Sequence, residues 1–113
     1  MLNNIYSFLG LAAKAGQLAS GESSCERAIR SGIAYLVIVA DDASQNTKKK
    51  FTDMCSYRGI DIKFFGQKEC IGRYTGKEIR SVVAVLDQGF TKRLIEMVEC
   101  LDLERGGERI GKS

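Results

Sequence analysis

The chain has 113 residues, 44% hydrophobic and 27% charged, with 17 basic against 14 acidic side chains and a net charge of +3. That is one domain's length, with enough apolar residues for a core of its own, which excludes wholesale disorder. No apolar run approaches the ~20 residues a membrane helix needs, and the absence of histidine removes His metal ligands, His general bases and every Ser–His or Cys–His nucleophile pair.

The start, Met1, Leu2, Asn3 and Asn4, lacks the basic residues and small-residue cleavage site of a signal peptide, so a cytoplasmic protein is expected. Leu2, Ile5, Leu9 and Ala12 recur at helical spacing, widened by Tyr6 and Phe8. They predict a first helix over about 4–15, capped by Asn3 or Asn4 and stopped by Lys14 and Gly16. A short bridge through Gln17, Leu18, Ala19 and Ser20 leads to Gly21 and a second helix over about 22–31, with Cys25, Ala28 and Ile29 inward.

Residues 35–40 form a continuous apolar, β-branched run ended by Asp41 and Asp42. A strand without alternation is buried on both faces, which requires helices on both sides of its sheet; the two acids suit the turn into the next helix. That helix is expected over about 46–57 with Phe51, Met54 and Cys55 inward, followed by a strand at 60–65 in which Ile60, Ile62 and Phe64 alternate. A short helix at about 67–74, a two-sided strand at 82–86 and a final helix capped by Asp87 and carrying Phe90, Leu94, Met97 or Val98, and Leu101 complete the pattern. Alternation of strands and helices predicts an α/β fold, a three-layer α/β/α sandwich around a central mixed sheet of about four strands. The domain is expected over 1–101, with 102–113 a polar, flexible tail.

The four cysteines, Cys25, Cys55, Cys70 and Cys100, contain no Cys-x-x-Cys pair. They are expected to be reduced and structural, with no metal and no cofactor.

Two stretches could carry binding chemistry. In the first, Gly21 lets a ligand approach the backbone, the helix behind it offers free N–H groups to an anion, and Ser23, Ser24, Arg27, Arg30 and a neighbouring Lys14 suit a phosphate chain with base edges beside it. The same residues also suit an ordinary turn and a capped helix. In the second, Gly72 and Gly76 frame a loop with Arg73, Lys77, Glu78, Ile79 and Arg80. The glycines are one residue too close for a phosphate-binding P-loop, and no strand leads into them, so an exposed binding loop is expected instead. Lys48, Lys49 and Lys50 spread around their helix and read as a solvated surface.

Together these stretches resemble the kink-turn-binding ribosomal protein family over nearly the whole domain. Gly21 to Arg27, the strand with its acidic turn at 34–42, and Ile71, Gly72 and Gly76 followed by the strand ending at Leu86 carry the likeness. Residues 9–16 with Ser20, Gly21 and Glu22 point to its YlxQ-like bacterial branch. The resemblance implies non-catalytic binding of structured RNA, ribosomal or kink-turn-like, by a monomer with neither membrane nor DNA as partner. It implies an interface of Lys14, Gly21, Glu22, Ser23, Ser24, Arg27, Arg30, Lys77, Glu78 and Ile79. Ser23 and Ser24 stand where the family has Asn and Glu, and Arg27 where it has Lys. Serine reaches less far, and at ~1–3 kcal/mol per base-edge contact its two substitutions weaken base discrimination by about a hundredfold or more. The alternative is a protein-interaction module of the translation apparatus that has lost specific RNA binding on this scaffold.

Overall fold

The computed structural model describes residues 2–110, with side chains described for 4–103. Its centre is a pair of antiparallel strands, β2 (Leu36–Val39) and β4 (Val82–Val85), every residue of which is buried. Apolar, β-branched side chains on both faces leave such strands no solvent side, so helices must cover each face. On one face lie α2 (Glu22–Arg30) and α3 (Gln45–Arg58). On the other lie α1 (Leu2–Lys14), α4 (Lys68–Tyr74) and α5 (Gln88–Ile110). The result is the expected α/β/α sandwich.

Two edge strands complete a mixed sheet in the order β1-β4-β2-β3. Strand β3 (Asp61–Phe64) runs parallel to β2, while β1 (Leu18–Ser20) is antiparallel to β4 with Leu18 opposite Val85 and Ser20 opposite Val83. The stretch expected as a bridge is therefore the fourth strand. Three half-buried residues carry no readable alternation; they become a strand because β4 presents them an unpaired edge. In β3 the expected alternation is not the burial observed: Ile62 is half-buried and Phe64 exposed, and Phe65 just beyond the strand is the buried ring. An edge strand has one poorly covered flank, so its periodicity does not predict its burial.

The helix ends are set by particular acceptors. Ser44 Oγ accepts from Thr47 N–H at 3.1 Å and starts α3. Asp42 Oδ1 accepts from Lys68 N–H at 2.9 Å, so it serves the start of α4 and not that of the helix following it in sequence. Asp87 Oδ2 accepts from Phe90 N–H at 2.9 Å, as expected. Helix α1 begins at Leu2, so Asn3 and Asn4 lie inside it rather than before it. Helix α5 runs on past Leu101 to Ile110; Gly106 and Gly107 disfavour helix by about 1 kcal/mol each, but extending an existing helix needs no new nucleus. Residues 111–113 of the expected tail lie outside the described residues.

Cys25 and Cys55 sit in the α2–α3 layer as expected, fully buried, while Cys70 is half-buried and Cys100 exposed. Burial, with smaller contributions from Cys55, Glu22 and Glu26, pushes the Cys25 thiol up to about 12, and burial pushes Cys55 up to about 11. Neither forms thiolate near neutral pH, and the thiolate is the reactive species. With iodoacetamide at pH 8, Cys100 should alkylate first and Cys70 more slowly, with Cys25 and Cys55 unmodified until denaturant is added. Peptide mass spectrometry reads the order, and labelling of Cys25 at the rate of Cys100 would show that this layer opens.

Candidate functional site

Strands β1 and β2 end, and β4 begins, at one edge of the sandwich. There Gly21 N–H donates to Val82 O at 3.0 Å, tying the start of α2 to the start of β4. Gly21 has φ 90° and ψ 161°, a backbone region that only glycine enters without strain. This geometry takes the chain from the end of β1 into α2 with no intervening loop. No side chain caps the helix, so its first-turn amides and the positive end of its dipole are left for another acceptor.

Helix α2 has three sides. Cys25, Ala28 and Ile29 face the sheet. Glu22, Glu26 and Arg30 follow one another at four-residue spacing along the flank toward α3. Glu22 accepts from Thr47 Oγ1 at 2.9 Å and lies 3.5 Å from Lys50 Nζ; Lys50 also pairs with Glu26, which pairs with Arg30 at 2.9 Å. The hydrogen bond and charge of Lys50, joined by Arg30, hold the Glu26 carboxyl below the usual carboxylate range, and Glu26 in turn holds the Lys50 ammonium above its ordinary value. Lys50, read from sequence as part of a solvated run, is thus the link between the two helices. The third side carries Ser23, Ser24 and Arg27, which make no side-chain hydrogen bond or ion pair with other described residues; Ser23 and Arg27 are exposed. Of the residues expected at one interface, Glu22 and Arg30 are engaged in this bridge. Arg30 also stands at the far end of a nine-residue helix, about 13 Å long at 1.5 Å per residue.

The loop after α4 is pressed against its own helix. A Cβ on Gly72 would stand 1.8 Å from Glu78 O and 3.0 Å from Ile79 Cα. Lys77 N–H donates to Gly72 O at 2.8 Å, Arg80 N–H to Lys68 O at 3.0 Å, and the buried Thr75 hydroxyl to Ile71 O at 2.7 Å. So fixed, the loop leaves Lys77, Glu78 and Ile79 exposed, Ile79 at 52%. Arg80 turns back over the start of α2: the atoms nearest to a Cβ built on Gly21 are Arg80 Nε at 3.7 Å and Cδ at 3.9 Å. Its Nη1 donates to Ile79 O at 2.8 Å, while Nε is buried with no partner. The two stretches singled out in the sequence therefore meet, and Arg80 is the residue that joins them. Arg80 was not among the residues expected at the interface, because no local pattern in the sequence says that the loop reaches Gly21.

Lys14 lies in a neighbouring groove of about 460 Å³, lined also by Ser20, Arg73, Tyr74 and Lys77. Among the described residues no group of three or more His, Cys, Asp or Glu side chains could hold a metal ion, and no helix is long and apolar enough to cross a membrane.

Known proteins share this architecture. The family described as "Ribosomal protein L7Ae/L30e/S12e/Gadd45 family" matches residues 3–95. "RNA-binding protein YlxQ" of Bacillus subtilis (strain 168) is 44% identical over 94 residues, covering 83% of this chain and 94% of that protein. "Large ribosomal subunit protein eL8" of Cenarchaeum symbiosum (strain A) is 26% identical over 99 residues, covering 87% and 79%. Among solved structures, a protein of unknown function from Bacillus halodurans C superposes with a TM-score of 0.81 at 40% identity, covering 84% of this chain and 96% of the other. A Giardia lamblia 15.5kD RNA binding protein, at TM-score 0.71 and 19% identity over 90% of this chain and 88% of that one, shares the fold.

The packing of the loop on Gly72 generates a direct test. Gly72→Ala puts a methyl into the Glu78 carbonyl, and overpacking against backbone costs about 1–3 kcal/mol or more. Urea unfolding should show that loss; a change below about 0.5 kcal/mol, the level of an ordinary surface substitution, would mean that the loop moves aside freely.

Proposed function

The chain belongs to the ribosomal protein L7Ae/L30e/S12e/Gadd45 family, and from that premise we propose that it binds structured RNA without catalysis, ribosomal or kink-turn-like in form, through the start of α2 and the 76–81 loop. The observation that carries the proposal is the seating of Arg80 over Gly21. It gathers a cation, the uncapped amides of a helix and an exposed apolar residue at one edge of the molecule. A phosphate fits against the first turn of α2, where N–H groups and the helix dipole favour an anion. Arg27, one turn along, extends the positive surface. Ser23 and Ser24 offer hydroxyls for base edges, and Ile79 offers an apolar face to a splayed base. Arg80 Nε, a buried donor without an acceptor, gains one if the side chain swings onto the incoming phosphate. The similarity to a protein named for RNA binding over most of both chains supports the same reading.

Gly21 has a second reason to be glycine. Any side chain there is strained by the backbone conformation before it meets RNA, so Gly21 acts by making the turn as much as by leaving room.

These roles separate in a salt titration with a kink-turn RNA hairpin followed by fluorescence anisotropy. With three or four phosphates neutralised, log affinity should fall against log salt with a slope of about −2 to −4, and Arg27→Ala should reduce its magnitude by up to about one. Lys49→Ala, whose ammonium pairs with Asp53 on the exposed side of α3, should change little. If it weakens binding more than Arg27→Ala does, the interface is on another face.

Ile79→Ala should weaken binding while leaving stability within about 0.5 kcal/mol, as at ordinary surface sites. A loss of stability of several times that would make Ile79 a packing residue instead.

A further inference from the structure

We infer that the groove between the end of α1, β1 and α4 binds a single-stranded RNA segment flanking the structured element held at α2, an inference that rests on the RNA-binding reading above. The groove has three cations on its rim, Lys14, Arg73 and Lys77, and no acidic residue in its lining. None of the three forms an ion pair with another described residue, although the surface elsewhere carries paired lysines and arginines. Helices α1 and α4 both end here, at Lys14 and Tyr74, and each brings the negative end of its dipole. That is roughly half a charge per helix, against three full positive charges, and some of it is already met: the Thr75 hydroxyl and the Lys77 amide donate to α4 carbonyls. The cations win, and the groove is an anion site.

What distinguishes a nucleic-acid strand from any other anion is Tyr74. It borders the groove and is 37% exposed. Its ring is stacked on Tyr6 at 5.2 Å and 21°, and the Tyr6 hydroxyl accepts from Gln67 N–H at 2.9 Å. Tyr6 covers one face of the ring and holds it in place before any ligand arrives, so the exposed part of Tyr74 is what an unpaired base stacks on. A volume of about 460 Å³ lies within the roughly 300–1,000 Å³ of small-molecule sites, space for a nucleotide-sized group and too little for a duplex. The groove adjoins the α2 site on both sides: Ser20 precedes Gly21, and Lys77 belongs to the loop that carries Ile79 and Arg80. A strand leaving the α2 site has a continuous positive path into it.

The test uses the full chain and three RNAs: a kink-turn hairpin with blunt ends, the same hairpin with an eight-uridine extension, and the same with an abasic extension of equal length. Stacking and phosphate contacts together should make the uridine extension tighten binding about five- to tenfold, with the abasic one giving less than half of that gain. Arg73→Ala should reduce the gain and Arg73→Glu abolish it, the gain being read as the ratio of extended- to blunt-hairpin affinity for each variant so that a general loss of positive charge cancels, with thermal stability held. The inference is overturned if the extension adds nothing, if the gain survives Arg73→Glu, or if the abasic extension gives the full gain. If the wild-type chain binds none of the three RNAs, the RNA-binding reading itself has failed and this inference goes with it. If it binds the blunt hairpin without any gain from the extension, only the groove assignment has failed.

Discussion

Strand β4 is hydrogen-bonded along both edges, to β1 and to β2, and the backbone at its start positions everything at the candidate interface. Gly21 N–H reaches Val82 O and Ala40 N–H reaches Ser81 O at 2.8 Å. One short length of chain therefore fixes the entry to α2 on one side and the end of β2 on the other. Because β4 is paired along both edges, it cannot slide by one residue without breaking two ladders at once. The loop that precedes it inherits that fixed register, and so Arg80 comes to rest where Gly21 leaves room for it.

A second feature holds the loop against α4. Gly72 has no side chain, and the backbone of Glu78 and Ile79 occupies the space one would fill. Gly10 does the same for the packing of α1 on α4, where a Cβ would stand 2.5 Å from Tyr74 O. Two close backbone approaches thus clamp α4 between α1 and its own loop. A loop held in this way would give up little conformational entropy to a ligand bound there, which is the physical advantage of preorganisation.

Helix α2 divides its labour by face. The flank toward α3 is neutralised internally, with Lys50 shared between Glu22 and Glu26. This matters for the outward face as proposed: unpaired, the two carboxylates would repel a phosphate brought to the start of α2, and pairing with Lys50 and Arg30 screens that repulsion. Since Glu26 is held below the ordinary carboxylate range, its share of the bridge persists above that range and is lost as pH falls through the lowered value. The Lys50 share persists below the ordinary lysine value and is lost only at higher pH. Around neutral pH the network is intact.

The sequence by itself determined the elements whose signal is local. Helical spacing marks α1, α2 and α3, and unbroken apolar runs mark β2 and β4, because periodicity follows from the few dihedral angles each residue prefers and from which side must be dry. It also offered Gly21 with the following serines and Arg27, and the glycine-framed loop, as two separate candidate stretches. What only the tertiary structure decided was their meeting. Leu18 to Ser20 are a strand because β4 has a free edge; Asp42 caps a helix far along the chain; Lys50 is a bridge because α2 passes beside it; Glu22 turns to that bridge; Arg80 covers Gly21. Each of these is a contact between residues distant in sequence, set by packing and sheet register. No propensity or spacing encodes it, because the partner is chosen by the shape of the whole fold and not by the neighbours along the chain.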